Sequence, residues 1–165
     1  IDPKTGDSPR EVRSVTLIRE YWNRPEANAS EFRDGWFNSG DIGFLDADGY
    51  LYLTDRAKDM VIRGGENIFP LEVEKTLMDA PQVLETVAFG VPDDQWGEEL
   101  AMVVRLKRPG SMDENAVREF LSARLAAFKV PRYVSFTEEP LPRNATEKVL
   151  KKEVRHAFIA THDLH

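Results

Sequence analysis

The sequence predicts an α+β fold, in which a few helices pack on a short sheet and a strand-rich segment precedes them. From about residue 59 the predicted elements follow the order hairpin, helix, strand, strand, helix, strand, helix, which is typical of a compact α+β unit. Residues 1–56 are rich in strand signals and look incomplete, so a boundary is expected between residues 55 and 59. Hydrophobic residues make up 41% of the chain and charged residues 31%, which indicates a packed globular protein.

The first predicted elements are short. The β-rich run EVRSVTLIR predicts a strand over residues 11–19, and RPEANASEF predicts one or two helical turns over residues 24–32, opened by Pro25. Residues 43–55 alternate around the turn sequence DADG, whose glycine can take positive φ. This pattern predicts a β-hairpin.

The middle of the chain continues with a second hairpin in MVIRGGENIF, which has Gly64 and Gly65 at its tip. A helix is predicted over residues 70–79, because a proline at its first position is favourable. Two strands follow over residues 82–90 and 98–107, separated by the loop VPDDQWG.

Capping signals and periodicity predict the two later helices. Ser111 and Glu114 have the spacing of a capping box, and the apolar residues that follow share one helical face: Val117, Phe120, Leu121 and Leu125. YVSFTE predicts a strand over residues 133–138. The last helix is predicted over residues 147–159, with Thr146 as its N-cap.

Charge and composition exclude several classes of function. The formal charge of −7 argues against a nucleic-acid-binding or membrane-binding surface. The chain has no cysteine and only three scattered histidines, so neither a disulfide nor a metal site is expected. It has no apolar run long enough to span a membrane and no signal peptide, which fits a cytoplasmic protein. The sequence does not begin with Met, and its first residues resemble the interior of a longer protein.

Several polar residues and glycines have two interpretations each. Lys148 would lie in the first turn of the last helix, where backbone N–H groups favour an anion, although a solvated polar face is the more common reason for a lysine. Gly64 and Gly65 could simply form a turn, or they could let the backbone approach a ligand. Asp41 could cap a turn or accept both hydroxyls of a ribose.

Two further residues also have two interpretations each. Arg56 could be an ion-pair partner or a donor to phosphate or ribose, and Trp96 could be a core anchor or a stacking surface. Together these residues indicate an anion- or nucleotide-contacting α+β domain.

The order of the motifs is more specific than any single residue. The run GWFNSGDIGFLDADGYLYLTDRAKDMVIRGGENIFPLEVE, followed by DDQWGEEL, FKVPRYVSF and LPRNATEKVLKKEV, resembles the C-terminal part of adenylate-forming enzymes, above all acyl- and aryl-CoA synthetases. The resemblance covers nearly the whole chain. It implies that residues 1–56 are the end of a large AMP-binding N-terminal domain, and that residues 57–165 are a small C-terminal lid domain.

The resemblance also implies an activity. Such enzymes use ATP to convert a carboxylic acid, here a fatty or aryl acid, into an acyl-adenylate, and then transfer the acyl group to CoA with release of AMP. Lys148 matches their catalytic lysine for adenylation, Asp41 and Arg56 match residues that contact the ribose or phosphate, and Lys58 matches the hinge about which the lid rotates.

After that rotation, Gly64 and Gly65 would flank the tunnel of the CoA pantetheine. By the same resemblance, residues that contact the CoA nucleotide are Trp96, Phe128, Lys129 and Arg132. The Mg²⁺ ligands, the phosphate loop and the acyl pocket belong to the N-terminal domain, so this segment alone is expected to be inactive.

The chain departs from the family pattern at four positions. Glu147 stands where many members have glycine, and Ser14 and Glu20 replace glycines in the segment that resembles the family's VRG…GYW run. Val130 stands where some relatives have a basic CoA contact. These departures concern local turn geometry and one CoA contact.

The alternatives are of two kinds. An enzyme of the same superfamily could pass the acyl group to a carrier-protein thiol or to oxygen, and a stand-alone lid could act as a non-catalytic docking module. The expected partners are a carboxylic acid, ATP, CoA and the protein's own N-terminal domain, and a homodimer remains open.

Overall fold

The described part of the chain, residues 8–164 of the computed structural model, divides into two units. One unit ends at Lys58 and the other begins at Asp59. These residues contain four α-helices and two sheets, so the predicted α+β class is confirmed. The assignment of the two units to parts of a larger enzyme remains a prediction.

The first unit is built around one long strand. β3 (Trp36–Leu45) pairs antiparallel with β1 (Ser8–Val12), β2 (Phe32–Arg33) and β4 (Leu51–Arg56). The short helix α1 (Pro25–Glu31) precedes β2 and has its proline in the first turn, as predicted.

Two predictions for the first unit have different outcomes. The hairpin of β3 and β4 is confirmed, because the Asp46 carboxylate accepts the backbone N–H groups of Asp48 and Tyr50 across the turn. The strand predicted over residues 11–19 is wrong beyond Val12. There the chain leaves the sheet, because the Ser14 hydroxyl accepts the backbone N–H of Thr16 in place of a strand partner.

The second unit is one mixed sheet with three helices. Its elements are β5 (Val61–Arg63), β6 (Glu66–Ile68), α2 (Pro70–Met78), β7 (Val83–Asp93), β8 (Gly97–Leu106), α3 (Glu114–Ser122), β9 (Tyr133–Thr137) and α4 (Lys151–His162). The sheet order is β6-β5-β8-β7, and β9 pairs with β8 in the parallel direction. The predicted hairpin at Gly64, the helix α2 and the strands β7, β8 and β9 are confirmed.

Apolar side chains of β8 point alternately to the two faces of this sheet, and both faces are buried. Leu100 and Met102 pack on the side that carries α2 and α3, whereas Ala101 and Val103 pack on the side that carries α4. Because neighbouring side chains of a strand point to opposite faces, one apolar strand supplies both cores. β8 therefore contributes to both cores and pairs with β5, β7 and β9.

The starts of α3 and α4 differ from the prediction. The N-cap of α3 is Asp113, whose carboxylate accepts the backbone N–H of Ala116 at 2.8 Å, and the predicted capping box at Ser111 is wrong. Likewise, Thr146 is not an N-cap, because α4 begins at Lys151. Lys148 therefore lies in a loop before the helix, and the expectation that it occupies the first helical turn is wrong.

Candidate functional site

In the first unit, Asp41 and Arg56 form an ion pair beside a pocket. The register of β3 and β4 places the two residues opposite each other, and Arg56 Nε lies 3.2 Å from Asp41 Oδ1. The pocket has a volume of about 360 Å³, and its lining includes Ser39, Arg56 and Lys58. Arg56 and Lys58 thus contribute two cationic side chains to the lining and Glu31 contributes a carboxylate, while Arg56 also binds Asp41.

Gly40 leaves room for Arg56 at this site. Its φ of +70° is in the left-handed region, and a Cβ built on it would lie 3.4 Å from Arg56 Nη2. The same Nη2 donates to the Ser39 carbonyl at 3.0 Å. Arg56 is therefore held from two directions, although half of its side chain is exposed.

In the second unit, Lys148 lies at the end of a tight loop. The backbone N–H of Asn144 donates to the Lys148 carbonyl at 2.9 Å, and Arg143 forms an isolated β-bridge with Val149. Lys148 is exposed, and within residues 8–164 its ammonium group makes no ion pair. The loop thus presents a solvated amine on an ordered backbone.

Glu147, the residue before this lysine, has a left-handed backbone with φ of +61°. The Glu147 N–H donates to the Asn144 carbonyl, so residues 144–147 form a turn whose last residue is the left-handed one. Glycine is the residue best suited to that conformation. Glu147 therefore bears the strain of a left-handed backbone that a glycine at this position would not have.

A third group surrounds the tip of the β5-β6 hairpin. The backbone N–H of Gly64 donates to the Trp96 carbonyl at 2.9 Å, and the Arg63 guanidinium lies 4.9 Å from the centre of the Trp96 ring. Gly64 and Gly65 have φ of +56° and +87°, which is the turn geometry that favours two glycines. Trp96 is 38% exposed, so it is accessible to a ligand.

Two carboxylates connect this group to Arg132. Glu99 is buried and accepts Arg63 at 2.8 Å, and this hydrogen bond raises the pKa of Arg63. Asp93 binds Arg132 at 2.8 Å and also accepts the backbone N–H groups of Trp96 and Gln95, and these two backbone hydrogen bonds lower its pKa. Gly64 is therefore linked to Trp96 through the backbone, and Trp96 is linked to Arg132 through Asp93.

Phe128 and Lys129 have other partners. Lys129 Nζ lies 2.6 Å and 2.8 Å from the two carboxylate oxygens of Glu72 on α2. Phe128 is partly buried against the core beneath α2 and α3. A nucleotide phosphate could bind Lys129 only in competition with Glu72, or by sharing it.

Sequence reasoning missed the supporting residues of these groups, namely Arg63, Asp93 and Glu99 around Trp96 and Glu85, Arg143 and Asn144 around Lys148. Asn144 could have been found, because asparagine often hydrogen-bonds the backbone two residues ahead in a turn. The ion pairs could not, because their partners are far apart in the sequence.

The described residues contain neither a cluster of metal ligands nor a membrane-spanning helix. In the part of the chain that the structure describes, no group of three or more His, Asp or Glu side chains could hold a metal ion. The Mg²⁺ implied by the resemblance therefore finds no ligand set in these residues. None of the described helices is long and apolar enough to cross a membrane.

Comparisons with known proteins give a consistent result. Residues 72–148 match the AMP-binding enzyme C-terminal domain. The chain is 44% identical to the long-chain-fatty-acid–CoA ligase FadD13 of Mycobacterium tuberculosis, over 94% of this chain and 31% of that protein.

Two solved structures are similar as well. One is the o-succinylbenzoate CoA synthetase MenE of Bacillus subtilis in complex with the acyl-adenylate intermediate OSB-AMP, with a TM-score of 0.84 and 35% identity over 90% of this chain and 30% of that chain. The other is the amide bond synthetase McbA of Marinactinospora thermotolerans, with a TM-score of 0.83 and 33% identity over 92% of this chain and 31% of that chain.

The chain spans less than a third of the length of these relatives. The matched region is the C-terminal part of adenylate-forming enzymes, as the family match of residues 72–148 indicates. Residues 72–148 are therefore similar to the AMP-binding enzyme C-terminal domain.

Proposed function

We propose that this chain is the C-terminal part of an AMP-forming acyl-CoA ligase, which activates a fatty or aryl carboxylic acid with ATP and transfers the acyl group to CoA. The observation that carries the proposal is the exposed ammonium of Lys148 on a fixed loop, in a chain that is 44% identical to an acyl-CoA ligase. A lysine of this kind can approach the α-phosphate and the acyl carboxylate, and it offsets negative charge as the phosphorus is attacked.

The pocket in the first unit supports a role in nucleotide binding. Asp41 can accept ribose hydroxyls while Arg56 donates to ribose or phosphate, because a carboxylate and a guanidinium provide complementary acceptors and donors. Their mutual ion pair is partly exposed, so a nucleotide can reach both groups. In this proposal ATP binds here and AMP leaves from here, and the Mg²⁺ ligands lie in another part of the protein.

The β5-β6 hairpin supports a role in the thioester step. Gly64 and Gly65 can flank the CoA pantetheine, and Trp96 can stack on the nucleotide. Phe128 adds a second aromatic ring and Lys129 and Arg132 add cations, but both cations have carboxylate partners that CoA phosphates must replace or share. Rotation about Lys58, relative to the protein's own N-terminal domain, would alternate this hairpin with Lys148.

The test is the substitution Lys148→Ala in the complete protein that carries this chain, with the two half-reactions measured separately. Loss of one such charged donor costs on the order of 3 kcal/mol, so adenylate formation should slow about 100-fold or more. Thioester formation from a supplied acyl-adenylate should persist. Lys152→Ala is the matched control, because Lys152 is an exposed lysine on α4. Equal loss in both half-reactions would remove the assignment.

One specific alternative to CoA as the acceptor of the acyl group is an amine. The similarity to an amide bond synthetase at a TM-score of 0.83 favours an amine as the second candidate acceptor. Release of AMP from preformed acyl-adenylate, measured with CoA, a carrier-protein thiol and an amine at equal concentration, separates these acceptors. A protein that releases no pyrophosphate with any carboxylic acid would instead be a docking module.

A further inference from the structure

We propose that Glu85, Arg143 and Asn144 are positioning residues for Lys148, which hold the backbone of its loop while its side chain stays free to reach a nucleotide. The inference rests on the proposed role of Lys148 in adenylation. The family match and the similarity to solved structures do not by themselves assign any function to these three residues.

Arg143 connects the loop to the sheet. Its Nη2 lies 2.5 Å from Glu85 Oε1 on β7, and its Nη1 donates to the backbone carbonyl of Glu147 at 2.7 Å. The two sides of one planar guanidinium thus bind a strand residue and the residue next to Lys148. A lysine in its place would have a single point charge and could not bridge both partners in this way.

Asn144 fixes the loop from within. Its side-chain oxygen accepts the backbone N–H groups of Thr146 and Lys148, both at 3.0 Å. Since the Asn144 N–H also donates to the Lys148 carbonyl, both backbone groups of Lys148 are bound by one residue. At the base of the loop, the Leu150 N–H donates to the Pro142 carbonyl at 2.7 Å.

Glu85 is the anchor of this arrangement. Its carboxylate is 16% exposed, accepts Arg105 on β8 at 3.1 Å, and also accepts the backbone N–H of Leu141. Arg105 also binds Glu85, but its other hydrogen bond goes to the Glu138 carbonyl, which is not part of the loop 142–148. Arg105 therefore provides a control, because it binds the same carboxylate of Glu85 but donates its other hydrogen bond outside the loop that carries Lys148.

The loop buries little, which argues for a function beyond stability. Residues 142–148 are all exposed, so the hydrogen bonds of Arg143 and Asn144 do not seal a core. Ordering a partly exposed arginine costs side-chain entropy and returns little stability in water. These contacts instead fix the direction in which the Lys148 side chain extends from the backbone. That direction matters, because misplacement of a reacting group by about 1 Å can lower the rate about 100-fold.

The experiment compares Arg143→Lys and Asn144→Ala with the control Arg105→Lys in the complete protein. Both loop variants should slow adenylate formation about tenfold or more, and leave thioester formation from supplied acyl-adenylate within about twofold. Arg105→Lys should leave both steps within about twofold. Equal loss in both steps, or the same loss in the Arg105 control, would overturn the proposal.

A double-mutant cycle separates a positioning role from an independent one. If Arg143 acts through Lys148, then Arg143→Lys has no further effect in a Lys148→Ala background. A full additional loss in that background would contradict the proposal. If Lys148→Ala alone leaves adenylation intact, the proposed function fails, which is a different and distinguishable result.

Amide hydrogen exchange of the chain gives a readout that does not depend on activity. Asn144→Ala should accelerate exchange of the Thr146 and Lys148 amides about tenfold or more, because their shared acceptor is removed, and leave the amides of β7 and β8 unchanged. Faster exchange throughout the sheet would indicate a general structural role and overturn the proposal. Unchanged exchange in the loop would overturn it as well.

Discussion

The backbone of Gly64 lies directly against the indole ring of Trp96. A Cβ built on Gly64 would be 2.5 Å from Cε3 of that ring, a distance that real Cβ atoms do not reach. Because the Gly64 N–H also donates to the Trp96 carbonyl, the hairpin cannot move away from the ring without losing this hydrogen bond. The tip of β5-β6 and the β7-β8 turn are therefore fixed to each other by the absence of a side chain.

Gly64→Ala should consequently destabilise the second unit. Overpacking and a left-handed backbone together are expected to cost about 2 to 4 kcal/mol of unfolding free energy, measured by urea denaturation of the chain. Gly65→Ala is the control, since its Cβ would meet no heavy atom within 4 Å and only the strain at φ of +87° remains. Similar losses in the two variants would show that the Trp96 contact contributes nothing.

Asp41→Asn tests the nucleotide pocket. The amide cannot accept ribose hydroxyls as strongly as the carboxylate, so the affinity of the complete protein for AMP should fall about tenfold or more, measured by calorimetry. Stability should change by less than about 1 kcal/mol, because the ion pair with Arg56 is partly exposed. Asp48→Asn, at the exposed turn of the same hairpin, is the control, and an unchanged affinity in Asp41→Asn would exclude its role in binding.

Local chemistry explains which elements the sequence could predict. The turns at Gly49 and Gly64 were predictable, because a glycine with positive φ between two alternating runs has few other uses. The capping box at Ser111 misled the prediction, since Asp113 lies two residues later and its carboxylate is a better acceptor for the first helical N–H groups. Thr146 misled it in the same way, because Asn144 already binds the Thr146 N–H.

The candidate site was less predictable than the fold. Lys148 and Trp96 stand out in the sequence by residue type, but what holds them in place does not. Arg143 and Glu85 are 58 residues apart, and only the sheet brings β7 beside the loop. Local sequence patterns predict turns and caps, whose partners lie within a few residues of each other. They do not predict an ion pair between residues that are far apart in the sequence.

Glu147→Gly should stabilise the chain. Glycine removes the cost of a left-handed backbone at φ of +61°, which is about 1 kcal/mol for a residue with a side chain. The Arg143 hydrogen bond should survive, because its acceptor is the Glu147 backbone carbonyl. Thermal unfolding should show a higher Tm for Glu147→Gly but not for Glu147→Ala, which loses the carboxylate and keeps the strain. An equal gain in both variants would assign the effect to charge.

The pH dependence of stability should contain a contribution from Glu85. Hydrogen bonding by Arg143, which outweighs the effect of partial burial and is assisted by Arg105, holds the pKa of Glu85 below its ordinary value of 4.5. A carboxyl group whose pKa is lower in the folded state stabilises the protein above the unfolded-state pKa, and this contribution is lost as the pH falls through the folded-state pKa.

Glu85→Gln should therefore be less stable than the natural chain at neutral pH, and the difference should shrink as the pH falls below about 4.5. Urea denaturation across the acidic range measures it. Glu119→Gln, at an exposed position of α3, should show no such trend. A difference between the Glu85 variant and the natural chain that stays constant to the lowest pH would contradict the lowered pKa.

Lys58→Pro tests the proposed hinge. Lys58 lies in the short 3-10 helix Ala57–Asp59, at the division between the two units. Proline fixes φ near −65° and removes the backbone N–H, so rotation about the φ torsion of this residue should be blocked. In the complete protein one half-reaction should then proceed within about twofold of normal, and the other should slow about tenfold or more.

Single-turnover rates for adenylate formation and for thioester formation distinguish the two steps. Lys58→Ala is the matched control, because it removes the amine and leaves the backbone torsions free, so both of its rates should stay near normal. If Lys58→Pro also retained both rates, the chain would have to rotate at another residue. If Lys58→Ala lost one step, the Lys58 side chain, which lines the same pocket as Arg56, would be a ligand for the nucleotide rather than a hinge.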